Sequence, residues 1–224
     1  MEQGAVLSVG SRPGLARGRE GLSDDWLSRL AGRLAGSDAT PTRPRGDGDL
    51  NPGMVMGEPL KDASVLVPLV LHADGPRVML TQRTDHLAHH PGQISFPGGR
   101  REPQDVDGLA TALREAQEET GLDPAMVEPI GTLDTYITRT NYRVEPHVAI
   151  IRTPPVYEPD PYEVAEVFEV PLPFFVAPHM PEVRSRDFGG RVGHFYAFPF
   201  EHRFIWGATA GMLVNLRQVL LDAA

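Results

Sequence analysis

Arg114-Glu115-Ala116-Gln117-Glu118-Glu119-Thr120-Gly121-Leu122 is the stretch on which the reading of this chain turns. It begins fifteen positions after Gly99, the last residue of Pro97-Gly98-Gly99. Helical spacing puts Glu115, Glu118 and Glu119 at i, i+3 and i+4, so three carboxylates project from one face. Like charges this close destabilise a bare helix, and a bound cation removes the repulsion. Oxygen donors of this kind suit Mg²⁺ or Mn²⁺ rather than a softer metal. The bland alternative is a solvated acidic face, which is common on surface helices. Context favours the metal. Leu109, Ala112, Leu113 and Ala116 form an apolar stripe expected roughly opposite the carboxylates, and Asp107 and Gly121 are the expected N-cap and C-cap. The upstream glycines provide backbone that turns tightly and lets a phosphate or metal approach.

Gly99 to Leu122 resembles the Nudix box, whose usual form is Gly, five residues, Glu, seven residues, then Arg-Glu-apolar-any-Glu-Glu-any-Gly-apolar. The second half matches at every fixed position, from Arg114 to Leu122. In the first half, the five residues after Gly99 are followed by Asp105, where Glu is usual, and eight residues rather than seven separate it from Arg114. Immediately upstream, Leu80-Thr81-Gln82-Arg83, Leu87, His90 and Gly92-Gln93-Ile94-Ser95-Phe96-Pro97-Gly98-Gly99 resemble the extended signature of the coenzyme A pyrophosphatase branch. That branch carries Arg after its equivalent of Leu87, and this chain has Ala88; Arg100 and Arg101 are the nearby cations that could meet an anionic substrate instead. Glu163 to Leu172 and Trp206 to Ala210 are similar to later blocks of the branch, so the resemblance spans roughly residues 60 to 222.

Composition bounds the alternatives. No cysteine is present, which excludes disulfides, thiolate nucleophiles and Cys-based zinc sites, and a reducing cytoplasm is the natural reading. A net charge of −9 argues against a nucleic-acid groove, which needs a basic surface. The longest apolar run, Val65 to Leu71, contains Pro68 and is too short to cross a bilayer, so no membrane association is expected. The N-terminus lacks the pattern of a signal peptide. The expected partner is a small diphosphate, with the oligomeric state left open.

Residues 1 to 22 read as a flexible extension, 23 to 62 as a short helix from Asp24 to about Leu34 capped by Ser23, then a Pro/Gly-rich connector, and 63 to 224 as the main domain. Val65 to Leu71 and Val78 to Gln82 read as strands around a turn at Asp74-Gly75-Pro76, with a short strand at Ile94 to Phe96. Ile130 to Ile137 and Val144 to Ile151 read as a hairpin, and Pro154 to Pro161 as a loop bringing carboxylates over the acidic helix. Val167 to Val170 is extended, Pro173 to Ala177 a short turn or helix, His194 to Pro199 a strand and Gly207 to Leu221 a closing amphipathic helix. The fold class is α/β, an α/β/α sandwich of the Nudix type around a mixed sheet.

The resemblance implies Glu115, Glu118 and Glu119 as metal ligands, and Arg114 as the residue that orients a carboxylate. Glu119 can serve as ligand and base; Glu163 or Glu166 could supply a further ligand or take the proton. Arg83, His90, Gln93, Gly98, Gly99 and Arg100 are the implied substrate contacts. His86, His89 and His90 have zinc-like spacing only if helical, and Pro91 argues for a loop. Tyr136, Tyr142 and Phe168 are candidates for stacking on adenine, against the ordinary reading that they are core. The implied reaction is hydrolysis of coenzyme A or its thioesters to 3′,5′-ADP and (acyl-)4′-phosphopantetheine. NADH, ADP-ribose or a non-catalytic nucleotide sensor are the alternatives.

Overall fold

A computed structural model describes residues 25–35, 44–54, 57–187, 190 and 192–221. The expected extension at 1 to 22 and the Ser23 cap lie outside the described residues. Helix α1 (Trp26–Ala35) is followed by strands β1 (Arg45–Gly46), β2 (Lys61–His72), β3 (Gly75–Arg83), β4 (Ile94–Ser95) and β5 (Gly98–Arg100). Then come α2 (Gly108–Thr120), β6 (Val127–Thr132), β7 (Tyr136–Ile137), β8 (Tyr142–Ile151), β9 (Val164–Pro171) and α3 (Leu172–Val176). The chain closes with β10 (Glu182–Asp187), β11 (Val192–Phe200), β12 (Arg203–Trp206) and α4 (Gly207–Leu221).

Strands β1 to β9 form one mixed sheet with the central order β1-β7-β8-β2-β3-β4. The long β2–β8 pairing is parallel, whereas β2–β3, β3–β9 and β6–β8 are antiparallel. Period-two alternation sorts the central strands between two cores. Leu66, Val70, Met79, Ala149 and Ile151 face α2, where they meet Ala112 and Ala116. Val67, Leu69, Val78, Leu80, Val148 and Ile150 face the other way, toward Leu213 and Leu216 of α4. The result is the expected three-layer sandwich. Leu30 and Leu34 of α1 join the second core, and full burial of Leu30 contributes about 2 kcal/mol.

Four local differences from the sequence reading have physical causes. The connector contains β1, which pairs in parallel with β7 and so extends the sheet. The first strand of the expected hairpin breaks into β6 and β7; both pair with β8, and the ladder shifts register between Pro129 and Gly131. α4 is enclosed on all sides from Thr209 to Leu216, so its first half is not amphipathic. The antiparallel β10-β11-β12 sheet contains two strands not read from the sequence, and β10 is nearly all polar and exposed, leaving no alternation to read.

Candidate active site

α2 forms where expected because its ends are capped. Asp107 accepts the Ala110 N–H at 2.8 Å, and Gly121 stops the helix at φ 70° with its N–H on the Gln117 carbonyl. The carboxylates, however, are not opposite the apolar stripe. Seven residues make nearly two full turns, so Glu119 lies almost directly above Ala112 and is buried with it. Glu115 is partly covered, with 18% of its side chain exposed, and Glu118 is 59% exposed. Burial pushes the Glu119 carboxyl up to about 8, with the charge of Glu115 adding to the effect; burial also raises Glu115.

Arg114 organises this cluster. Its guanidinium makes a bidentate pair with Asp105 at 3.0 and 3.1 Å, and Nη1 donates to both Glu115 and Glu118 at 3.0 Å. Asp105 also accepts the Thr111 hydroxyl and the Glu102 N–H, at 3.0 and 2.8 Å. The Arg114 hydrogen bond, more than any other contact, holds the Asp105 carboxyl well below the usual range, and Asp105 in turn raises Arg114. Asp105, a departure from the box pattern, is thus the buried anchor of the arginine. Among the described residues, no three Asp, Glu or His side chains close around one point, because Glu118 turns outward to Arg114.

Two glycines connect the carboxylates to a cavity. A β-carbon at Gly99 would lie 2.4 Å from the Glu115 carboxyl, and one at Gly98 would lie 2.4 Å from the Ser64 carbonyl oxygen. The Gly98 N–H donates to Glu119 at 3.2 Å. At this point β2 and β3 have parted: β2 pairs with β5 through Ala63 to Val65, while β3 pairs with β4 through Thr81 and Gln82. Arg83 reaches through the split, its Nη1 3.7 Å from Glu119 on the α2 side while it also lines the cavity. The cavity holds about 600 Å³, within the range of small-molecule sites.

The cavity gathers the expected contacts Arg83, His90, Gln93, Gly98, Gly99 and Arg100. Arg101 is not among them; it donates to the Asp105 and Val106 carbonyls. Glu163 is half-buried, its carbonyl accepting from the Thr84 N–H, and its charge raises both Glu115 and Glu119. The Asp160 N–H bonds the Glu119 carbonyl at 3.1 Å, which docks the late loop on the end of α2. Glu166 instead pairs with Arg203 at 2.5 Å. His86 packs on Tyr162, whereas His89 and His90 line the cavity on non-helical backbone. Of the adenine candidates, Tyr142 lines the cavity; Tyr136 is buried with its hydroxyl on Asp47, and Phe168 is buried beneath Arg203. The sequence reading missed Phe195 and Trp206, an edge-to-face pair 5.2 Å apart that carries the second sheet into the cavity wall. Trp206 opens the block Trp206 to Ala210, but nothing local marks its partnership with Phe195, which the pairing of β11 with β12 brings about.

A family model described as NUDIX domain matches residues 60–182. The chain is 38% identical over 159 residues to a Nudix hydrolase named NudL from Enterobacter sp. (strain 638), covering 70% of this chain and 81% of the relative. It is 36% identical over 169 residues to Nudix hydrolase 15, mitochondrial, of Arabidopsis thaliana, covering 72% of this chain and 59% of that protein. Among solved structures, a MutT/nudix family protein from Enterococcus faecalis aligns over 73% of this chain and 62% of its own, at 15% identity and TM-score 0.47. An Ap4A hydrolase from C. elegans aligns over 50% and 80%, at 20% identity and TM-score 0.44. No helix among the described residues is long and apolar enough to cross a membrane.

Proposed function

The chain belongs to the Nudix family, and from that premise we propose that it hydrolyses the diphosphate of coenzyme A and its thioesters. The products are 3′,5′-ADP and 4′-phosphopantetheine, or its acylated form. The observation that carries this reading is the junction at Gly98-Gly99. There buried Glu119 and partly covered Glu115 of α2 meet a cavity lined by Arg83, His90 and Gln93 of the coenzyme A-type signature.

The donor set fits Mg²⁺ or Mn²⁺, because Glu115 and Glu119 are hard oxygen donors whose mutual repulsion a cation would relieve. Glu115 and Glu119 would hold the ion, and exposed Glu118 would join them by leaving Arg114. A divalent ion bound there neutralises diphosphate charge and makes a water more acidic. Arg114, anchored by Asp105, holds the carboxylates in register. Glu119 accepts the proton of the attacking water, and Glu163 flanks the same charge. Arg83, His90 and Gln93, with Arg100, bind the anionic substrate from the cavity side. Water forms a bond to one phosphorus, and the bridging oxygen leaves with the other phosphate.

Product analysis by mass spectrometry tests this directly. Purified protein with Mg²⁺ or Mn²⁺ is given coenzyme A, acetyl coenzyme A, NADH and ADP-ribose in parallel. Faster release of 3′,5′-ADP and phosphopantetheine is expected; preferred cleavage of NADH or ADP-ribose would overturn the substrate assignment. No cleavage with either metal would overturn the enzyme reading.

A further inference from the structure

Two cations stand together on the cavity floor: Lys61, which has no part in the proposed reaction, and Arg100, which enters it only as one contact to the anionic substrate. In the β2–β5 ladder Ala63 lies opposite Arg100, and Lys61 precedes Ala63 by two residues, so Lys61 and Arg100 are diagonal neighbours on the cavity face. Both are exposed, and neither has a carboxylate partner among the described residues. Lys61 Nζ rests over the Tyr142 ring at 5.6 Å from its centre. Nearby arginines are engaged otherwise: Arg101 with backbone carbonyls, Arg114 with carboxylates and Arg143 with Asp62 at 2.6 Å. Like charges at this spacing repel, so two bare cations side by side in a chain of net charge −9 favour a bound anion.

The position limits what that anion is. Gly98 and Arg100 share a face two residues apart, roughly 7 Å along the strand. Lys61 lies one strand across and further from Gly98. An anion held between them therefore sits about one pentose beyond the Gly98-Gly99 junction, too far to be the diphosphate that meets the carboxylates. We propose that Lys61 and Arg100 bind a phosphate monoester on the same molecule whose diphosphate is cleaved. On the coenzyme A reading, on which its identity rests, this group is the 3′-phosphate. Arg100 supplies a planar pair of donors and Lys61 a compact charge, a combination suited to a terminal phosphate.

Calorimetric titration of the full chain with 3′,5′-ADP and with AMP isolates this group from the diphosphate. The unmodified protein should bind 3′,5′-ADP about tenfold more tightly or better, as expected for charged hydrogen bonds to one phosphate. In Lys61→Ala with Arg100→Ala the ratio of the two affinities should fall towards one. Equal binding of both nucleotides to the unmodified protein, or a preference that survives both substitutions, would overturn the subsite. Coenzyme A cleavage is read separately. Cleavage without the 3′,5′-ADP preference removes the subsite and leaves the proposed reaction standing, whereas preference without cleavage does the reverse.

Discussion

The two sides of the split sheet are built differently. On the α2 side, the acidic residues and Arg114 come from one helix, with Asp105 nine residues before Arg114, and hydrogen bonds already fix them. On the α4 side, the cavity draws Arg83 and His90 from one segment, Tyr142 from β8, and Phe195 and Trp206 from a separate sheet. On the proposed reading, the chemistry is therefore local in the chain and recognition is dispersed. Substitutions on the first side should act on turnover, and those on the second on substrate affinity.

The largest effect is expected at Glu119. Glu119→Gln keeps the shape but removes the charge and the proton acceptor, so kcat should fall roughly 10²–10⁴-fold with little change in thermal stability. Steady-state kinetics beside a melting curve checks this, and unchanged turnover would remove Glu119 from the mechanism. Trp206→Ala should act in the opposite sense, raising KM about tenfold while kcat stays within a few-fold, because it strips an aromatic wall from the cavity. A fall in kcat comparable to that of Glu119→Gln would erase the division between the two sides.

The smallest expected effect is a pH dependence on the α2 side. Arg114 holds Asp105 below its ordinary value of 3.8, so Asp105 stabilises the fold fully above that value. This contribution disappears as pH falls below 3.8 through the native value. Asp105→Asn should therefore lower stability at neutral pH and flatten its loss below about pH 4. Denaturant melts at pH 7 and pH 3 would show it, and identical slopes for both proteins would mean that the pair does not stabilise the fold.

The carboxylate helix was legible because its information is repetitive and short-range: caps, helical spacing and the glycine turn sit within one stretch. Its error was equally local. The stripe of Leu109, Ala112, Leu113 and Ala116 was read as lying opposite the carboxylates, whereas burial centres on its Ala112 and Ala116 edge and takes Glu119 in with them. Tyr136 and Phe168 have the same aromatic character as Phe195 and Trp206, yet the first two are core and the last two line the cavity. Composition could not separate these pairs, because the difference lies in which strands are neighbours.

By itself the sequence determined the family, the sandwich, the acidic helix and its glycine junction, because each depends on residues close together in the chain. Tertiary structure alone decided that Asp105 anchors Arg114, that Arg83 reaches Glu119 through a parted sheet and that Lys61 stands beside Arg100 with no carboxylate partner among the described residues. Each of those depends on strand register and on the point where β2 and β3 diverge, which hydrogen bonding across the whole sheet sets.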